Sequence, residues 1–235
     1  MSILTDILSQ FNREPSIHFS DVLRAIVTHD AWWIPAKDGQ PILNQRDGET
    51  HLNLYSSEEN TTGIAQTDID FLQKESDWVF SNLPNVASVI IDAHLEHALQ
   101  IPQVYLDNVI RMHKALALET HLSMMHADNW MTPLQSFEHY LLPLVEDEQG
   151  RLHMALAPDQ QQRALVAVFT AEDAAQRFLQ AAGDKLGKIH MDLIDGEKLF
   201  TQLNLLPLEG LVFNCYGPVA TIALNKDTIA QLAGQ

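Results

Sequence analysis

The sequence predicts an α+β protein of two similar small domains, each a short mixed or antiparallel sheet with flanking helices, packed as a pseudo-dimer. Three observations predict it. Leu165-Val166-Ala167-Val168-Phe169-Thr170-Ala171-Glu172-Asp173 reads as a short apolar strand running straight into a helix, since β-branched and aromatic residues suit a buried strand. Behind it Ala171, Ala174, Ala175, Phe178, Leu179 and Ala182 recur at helical spacing, with Thr170 and Asp173 placed as a capping box. An echo, His51-Leu52-Asn53-Leu54-Tyr55-Ser56-Ser57-Glu58-Glu59, lies 114 positions earlier. The expected divisions are residues 1–102 with an insertion at about 60–85, a connecting helix and linker at 103–135, and a second copy at 136–235.

In chain order, Ile3, Ile7, Leu8 and Phe11 line one face of a first helix, and Val22, Ala25 and Ile26 one face of a second. Trp32-Trp33-Ile34-Pro35 is an aromatic strand that the proline is expected to close. Asp38-Gly39 and Asp47-Gly48 mark turns between short antiparallel strands. Val86 to Ile91 is the clearest strand of the first half, and Asp92 leads from it into an expected short helix with Leu95, Ala98 and Leu99. From Gln103 to about His126, apolar positions three or four apart predict a long helix. Leu141-Leu142-Pro143 then answers the tryptophan strand, and Ile189 to Glu197 is matched to Val89 to Glu96, with Asp195 in the place of Asp92.

Composition excludes several classes. A net charge of −17 would repel a phosphate backbone, so direct nucleic-acid binding is not expected. Cys215 is the only cysteine, which leaves no disulfide framework and no cysteine zinc cluster. The start lacks a basic stretch followed by an apolar core, and no apolar run reaches the roughly 18–20 residues that cross a bilayer. A reducing cytoplasm is the expected setting, with no membrane partner.

Four groups of residues could carry function. His94-Leu95-Glu96-His97 resembles a metal-hydrolase helix, but its histidines are three apart where a zincin needs four. Cys215 could be a nucleophile only with a base in reach, and otherwise reads as a small buried hydrophobe. His113, His121 and His126 with Met124-Met125 suggest soft-metal ligation or simply a decorated helix. Trp32 and Trp33 must point to opposite faces of a regular strand, so one faces the core and the other is covered by a partner or another part of the chain. No catalytic residue, metal ligand or cofactor is assigned.

Trp32-Trp33-Ile34-Pro35, Leu141-Leu142-Pro143, Val168-Phe169-Thr170-Ala171-Glu172 and Gly210-Leu211-Val212-Phe213-Asn214 together resemble the SseB N-terminal-domain family of bacterial proteins. Cys215 stands where that family carries proline. The likeness covers most of residues 136–225 and patches of 17–102. It implies two tandem diverged copies of a small α+β fold in a bacterial cytoplasm, with no catalytic residues to carry over. The expected activity is therefore non-catalytic binding of a protein or small molecule, with Trp32 and Trp33 as the candidate surface. The alternative is a metal- or cysteine-dependent hydrolase using His94, Glu96 and His97, or Cys215.

Overall fold

The computed structural model describes residues 3–11, 13–14, 17–62, 64, 68–123, 129–158, 163–183, 187–217 and 221–234. The chain divides into two compact units, Met1–His113 and Lys114–Gln235. The first holds α1 (Ile3–Phe11), α2 (Phe19–Val27), β1 (Ala31–Lys37), β2 (Gln40–Pro41), β3 (Leu43–Arg46) and β4 (Glu49–Leu54). β5 (Asp70–Glu75), α3 (Ser76–Ser81), β6 (Ser88–Ile91) and β7 (Leu99–Pro102) follow, and α4 (Gln103–Ser123) runs on into the second unit. There α5 (Met131–Ser136), β8 (Tyr140–Glu146), β9 (Leu152–Met154), β10 (Leu156–Pro158), β11 (Ala164–Val168) and α6 (Glu172–Ala182) come first. β12 (Lys188–Ile194), α7 (Gly196–Leu205), β13 (Gly210–Phe213), β14 (Ile222–Asn225) and α8 (Lys226–Leu232) complete it.

Each unit builds the same two sheets. In the first, β2-β1-β5 is antiparallel, and β3-β4-β6-β7 has a parallel central pair between antiparallel edges. In the second, β9-β8-β12 and β10-β11-β13-β14 repeat both orders and every strand direction. One bridge joins the sheets in each unit, Trp33 to Tyr55 and Leu141 to Phe169. The fold is therefore α+β with two similar halves, as the sequence predicts.

Alternation explains the burial. On β1, Trp32, Ile34 and Ala36 are buried on one face and Pro35 is buried as well, and from Leu165 on β11 through Phe169 just beyond it every residue is buried. That run is apolar on both faces because its strand pairs in parallel at the centre of a sheet. Phe169, Phe178, Leu141 and Val212 lie in one hydrophobic cluster, with Phe169 and Phe178 ring centroids 5.3 Å apart. Along α4, Leu106, Val109, Met112, Ala115, Leu118 and Leu122 form the buried stripe.

Several expectations are corrected. Neither strand stops at its proline: Pro35 and Pro143 lie inside β1 and β8. Each proline faces away from β5 or β12, its carbonyl accepting from Ile42 or Ala155 on the other side, so its missing N–H removes no bond to β5 or β12. Residues 92–98 form turns, not a helix, and Leu99 and Ile101 lie in β7. Ile189 to Glu197 answers β5 and α3, not Val89 to Glu96. Residues 70–81, read from sequence as an insertion, hold the places of β12 and α7. Thr170 does not cap α6; the N-cap position is Ala171, without a side-chain cap bond.

Phe169 is fully buried, so Phe169→Ala should cost about 3–5 kcal/mol through lost burial and the cavity left behind. Urea unfolding measures it, and an unchanged midpoint would contradict the packing.

Candidate functional site

Among the described residues of the first unit, a group of buried polar side chains gathers at the carboxyl ends of its two parallel strands. β4 ends at Leu54 and β6 at Ile91, and each is followed closely by a polar residue, Ser56 and Asp92. Asp92 takes a left-handed backbone, φ 52°, which its short polar side chain tolerates. Its N–H bonds the Leu54 carbonyl at 2.9 Å, and its carbonyl accepts from the Leu95 N–H at 2.9 Å. The turn thus aims a carboxylate of zero exposure at Ser56.

Three donors meet that carboxylate. Ser56 N–H reaches Oδ1 at 2.9 Å, Ser56 Oγ reaches Oδ2 at 2.7 Å, and His97 Nε2 lies 3.1 Å from Oδ2. Asn60 Nδ2 donates to Ser56 Oγ at 2.9 Å. Serine, aspartate and histidine meet here in the wrong order for a triad. The serine proton points to the carboxylate, whereas nucleophilic catalysis needs an imidazole to take it. The arrangement is a clamp that closes the open end of the parallel ladder.

The second unit has the same clamp in neutral form. Asn214 has φ 51°, its N–H bonds the Val168 carbonyl at 3.0 Å, and its Oδ1 accepts from the Thr170 N–H at 3.0 Å. Asn214 Nδ2 donates to Thr170 Oγ1 at 2.9 Å, and that hydroxyl donates to Glu119 Oε1 at 2.7 Å. Thr170 and Asn214 are buried, and so is Glu119. Sequence matching placed Asp92 against Asp195 and so missed both Ser56 and the true counterpart, Asn214. The available signal was the shared succession of apolar residue, hydroxyl residue and later Asp or Asn, Tyr55-Ser56…Asp92 against Phe169-Thr170…Asn214.

The residues singled out from sequence are dispersed. His94 Nε2 lies 3.1 Å from the Thr62 carbonyl, and Glu96 pairs with Arg13 at 3.0 Å on an exposed surface. With His97 on Asp92, the three have three different partners. Ser9, Arg13, Glu96 and His97 line a cavity of about 260 Å³. Among the described residues no group of three or more His, Cys, Asp or Glu side chains could hold a metal ion. His113 sits 3.4 Å from Asp77, and His121 lines a separate cavity of about 310 Å³ with Lys114, Phe137 and Glu138. His126, Met124 and Met125 lie outside the described residues. Cys215 is buried in the apolar cluster, and burial pushes its thiol up to about 12.

The tryptophans separate as alternation requires. Trp32 has zero exposure, donates from Nε1 to Ser76 Oγ at 2.8 Å, and meets the His29 ring edge-on at 4.8 Å. Trp33 is half-buried on the opposite face, its N–H and C=O both bonded to Tyr55, at 2.9 and 3.0 Å. Its counterpart Leu141 is in the cluster with Phe178 of α6. Among the described residues, the first unit has a single 3-10 turn, Glu59–Thr61, in the stretch that corresponds to α6.

No family model matches the chain, and no curated protein matches it. A solved structure to which it is similar is Anabaena Tic22 (protein transport), with a TM-score of 0.26 and 8% identity over 81% of this chain and 88% of that one. A likeness of that TM-score supports no statement about what the chain does. No helix among the described residues is long and apolar enough to cross a membrane.

Asp92→Ala leaves two buried Ser56 donors unpaired and should cost about 2–5 kcal/mol. Asp92→Asn, which copies the residue of the second unit, should cost clearly less. Denaturant midpoints of the two variants provide the comparison, and equal losses would show that the carboxylate charge rather than the clamp geometry matters.

Proposed function

We propose that the protein is a non-catalytic, SseB-like binding protein of two tandem copies, acting in a bacterial cytoplasm by holding a protein partner or small ligand on its first unit. The observation that carries this reading is the half-buried Trp33 beside the fully buried Trp32. Strand β1 has a neighbour on each side, and the Trp33 backbone is bonded to Tyr55. A ring fixed in this way gives large contact area at little entropic cost, as aromatic anchors of interfaces do. The half-buried Phe71 and the exposed His94 lie near the buried Tyr55 to which Trp33 is bonded, their rings 6.0 Å and 5.6 Å from the Tyr55 ring.

The hydrolase reading draws less support from the same residues. A thiol held protonated by burial is a poor nucleophile, and His94, Glu96 and His97 converge on no common point. The Cys215 thiol should therefore resist an aromatic disulfide reagent in the native protein and react fully once unfolded. Rapid native labelling would favour the cysteine reading.

The tryptophan pair tests binding directly. Trp32→Ala should lose about 3–5 kcal/mol of stability. Trp33→Ala should melt close to the parent while losing partners captured from bacterial lysate. Two equally early melts would make both rings core and remove the surface on which this reading rests.

A further inference from the structure

β12 is the outermost strand of β12-β8-β9, and among the described residues no strand pairs with its far side. Its register with β8 fixes which backbone groups point outward. Leu141, opposite Leu193, gives both its N–H and C=O to Phe169 on the other side, and the Pro143 carbonyl, opposite Met191, accepts from Ala155 at 2.9 Å. Residues of an antiparallel strand alternate between bonding one neighbour and facing away from it. Ile189, Met191 and Leu193 therefore direct their N–H and C=O groups away from β8.

The side chains of those three residues share the face of Leu141 and Val145, the apolar face that packs in the Phe169 cluster. Met191 is 37% exposed and Leu193 53% exposed at its margin. His190 and Asp192 lie on the opposite face, with His190 Nε2 2.6 Å from Glu146 Oε2. The Leu193 N–H is held by the Asp192 side chain at 3.1 Å, a local bond that a strand carbonyl could replace.

The geometry points to a homodimer in which β12 pairs antiparallel with β12 of a second copy, about a twofold axis at Met191. This register joins every outward backbone group of the three residues: Ile189 meets Leu193 of the second copy, Met191 meets Met191, and Leu193 meets Ile189. His190 then faces Asp192 of the second copy on the other side, twice over, an imidazole opposite a carboxylate. An axis at Asp192 would set two carboxylates directly opposite, which is unfavourable. An axis at His190 would leave Leu193 opposite Gly187. The counterpart edge β5 has no such symmetry, because an axis at Gln73 sets Phe71 against Glu75, and Lys74 is folded over Trp78 at 4.8 Å. An exposed edge with apolar residues invites strand pairing unless charge opposes it. On β12 the alternating charges fit a second β12 strand.

Sedimentation of the full chain from low to high micromolar concentration should show a monomer–dimer equilibrium. Met191→Lys places two ammonium groups face to face and should abolish the dimer while leaving the melting temperature unchanged at concentrations where the parent is monomeric. Leu205→Lys, at a 77% exposed position on α7, should leave it intact. Residues in a bonded antiparallel pair lie about 5.5 Å apart at Cα, within disulfide range, so Met191→Cys should form a covalent dimer on mild oxidation while the parent, with Cys215 buried, does not. A parent that stays monomeric overturns the proposal, whether or not an extended peptide or another protein binds β12. A dimer indifferent to Met191→Lys, or one that Met191→Cys fails to link, overturns it too.

Discussion

The parallel strand pair at the centre of each unit depends on one repeated interaction, the bond from a left-handed Asp or Asn to the hydroxyl residue beyond the neighbouring strand. A parallel ladder ends with amides that the next strand cannot reach, and buried amides left unpaired are costly. Asp92 and Asn214 each supply a backbone N–H to the strand beside them and a side-chain oxygen to the amide of Ser56 or Thr170. That amide follows Tyr55 or Phe169, whose backbone bridges to β1 or β8. The clamp therefore holds the two sheets of a unit at the point where they meet.

The two clamps solve one geometric problem with different charges. Asn214 donates as well as accepts, and the Thr170 hydroxyl is then free to donate onward to Glu119. Asp92 can only accept, so its full burial needs donors on every side, which Ser56 and His97 supply. A buried carboxylate with three donors is tolerable where an unpaired one is not. His97 is thus explained by the aspartate, and its place beside a small cavity is a consequence of where the clamp lies.

What sequence made legible follows the range of the interactions involved. The Leu165–Val168 strand, the α6 helix and the long helix from Gln103 are local patterns, and they stand as expected. Trp32 and Trp33 divided between faces because alternation is also local. The repeat was seen at Pro35/Pro143 and Tyr55/Phe169 but misaligned beyond them. The correspondence runs from Trp33/Leu141 at 108 positions through Tyr55/Phe169 at 114 to Asp92/Asn214 at 122. It lengthens steadily because the second unit has longer connections, among them an eleven-residue α6 where the described residues of the first hold a three-residue turn. The clamp itself could not be read, since its members are 36 and 44 positions apart and nothing local joins them.

The halves agree in their frame and differ in how it is furnished. Strand orders, directions, bridging residues and clamps are shared, whereas α6 is a full helix in one unit and a single turn in the other. The shared parts are those that burial and hydrogen bonding dictate, so they report the fold. Two of the differences reach the surface: the half-buried Trp33 against the buried Leu141, and the apolar edge of β12 against the mixed edge of β5. Packing alone does not require an aromatic at one of these places or a self-complementary strand at the other. Such features, which the shared frame does not dictate, are where two similar halves can acquire separate surfaces for separate contacts.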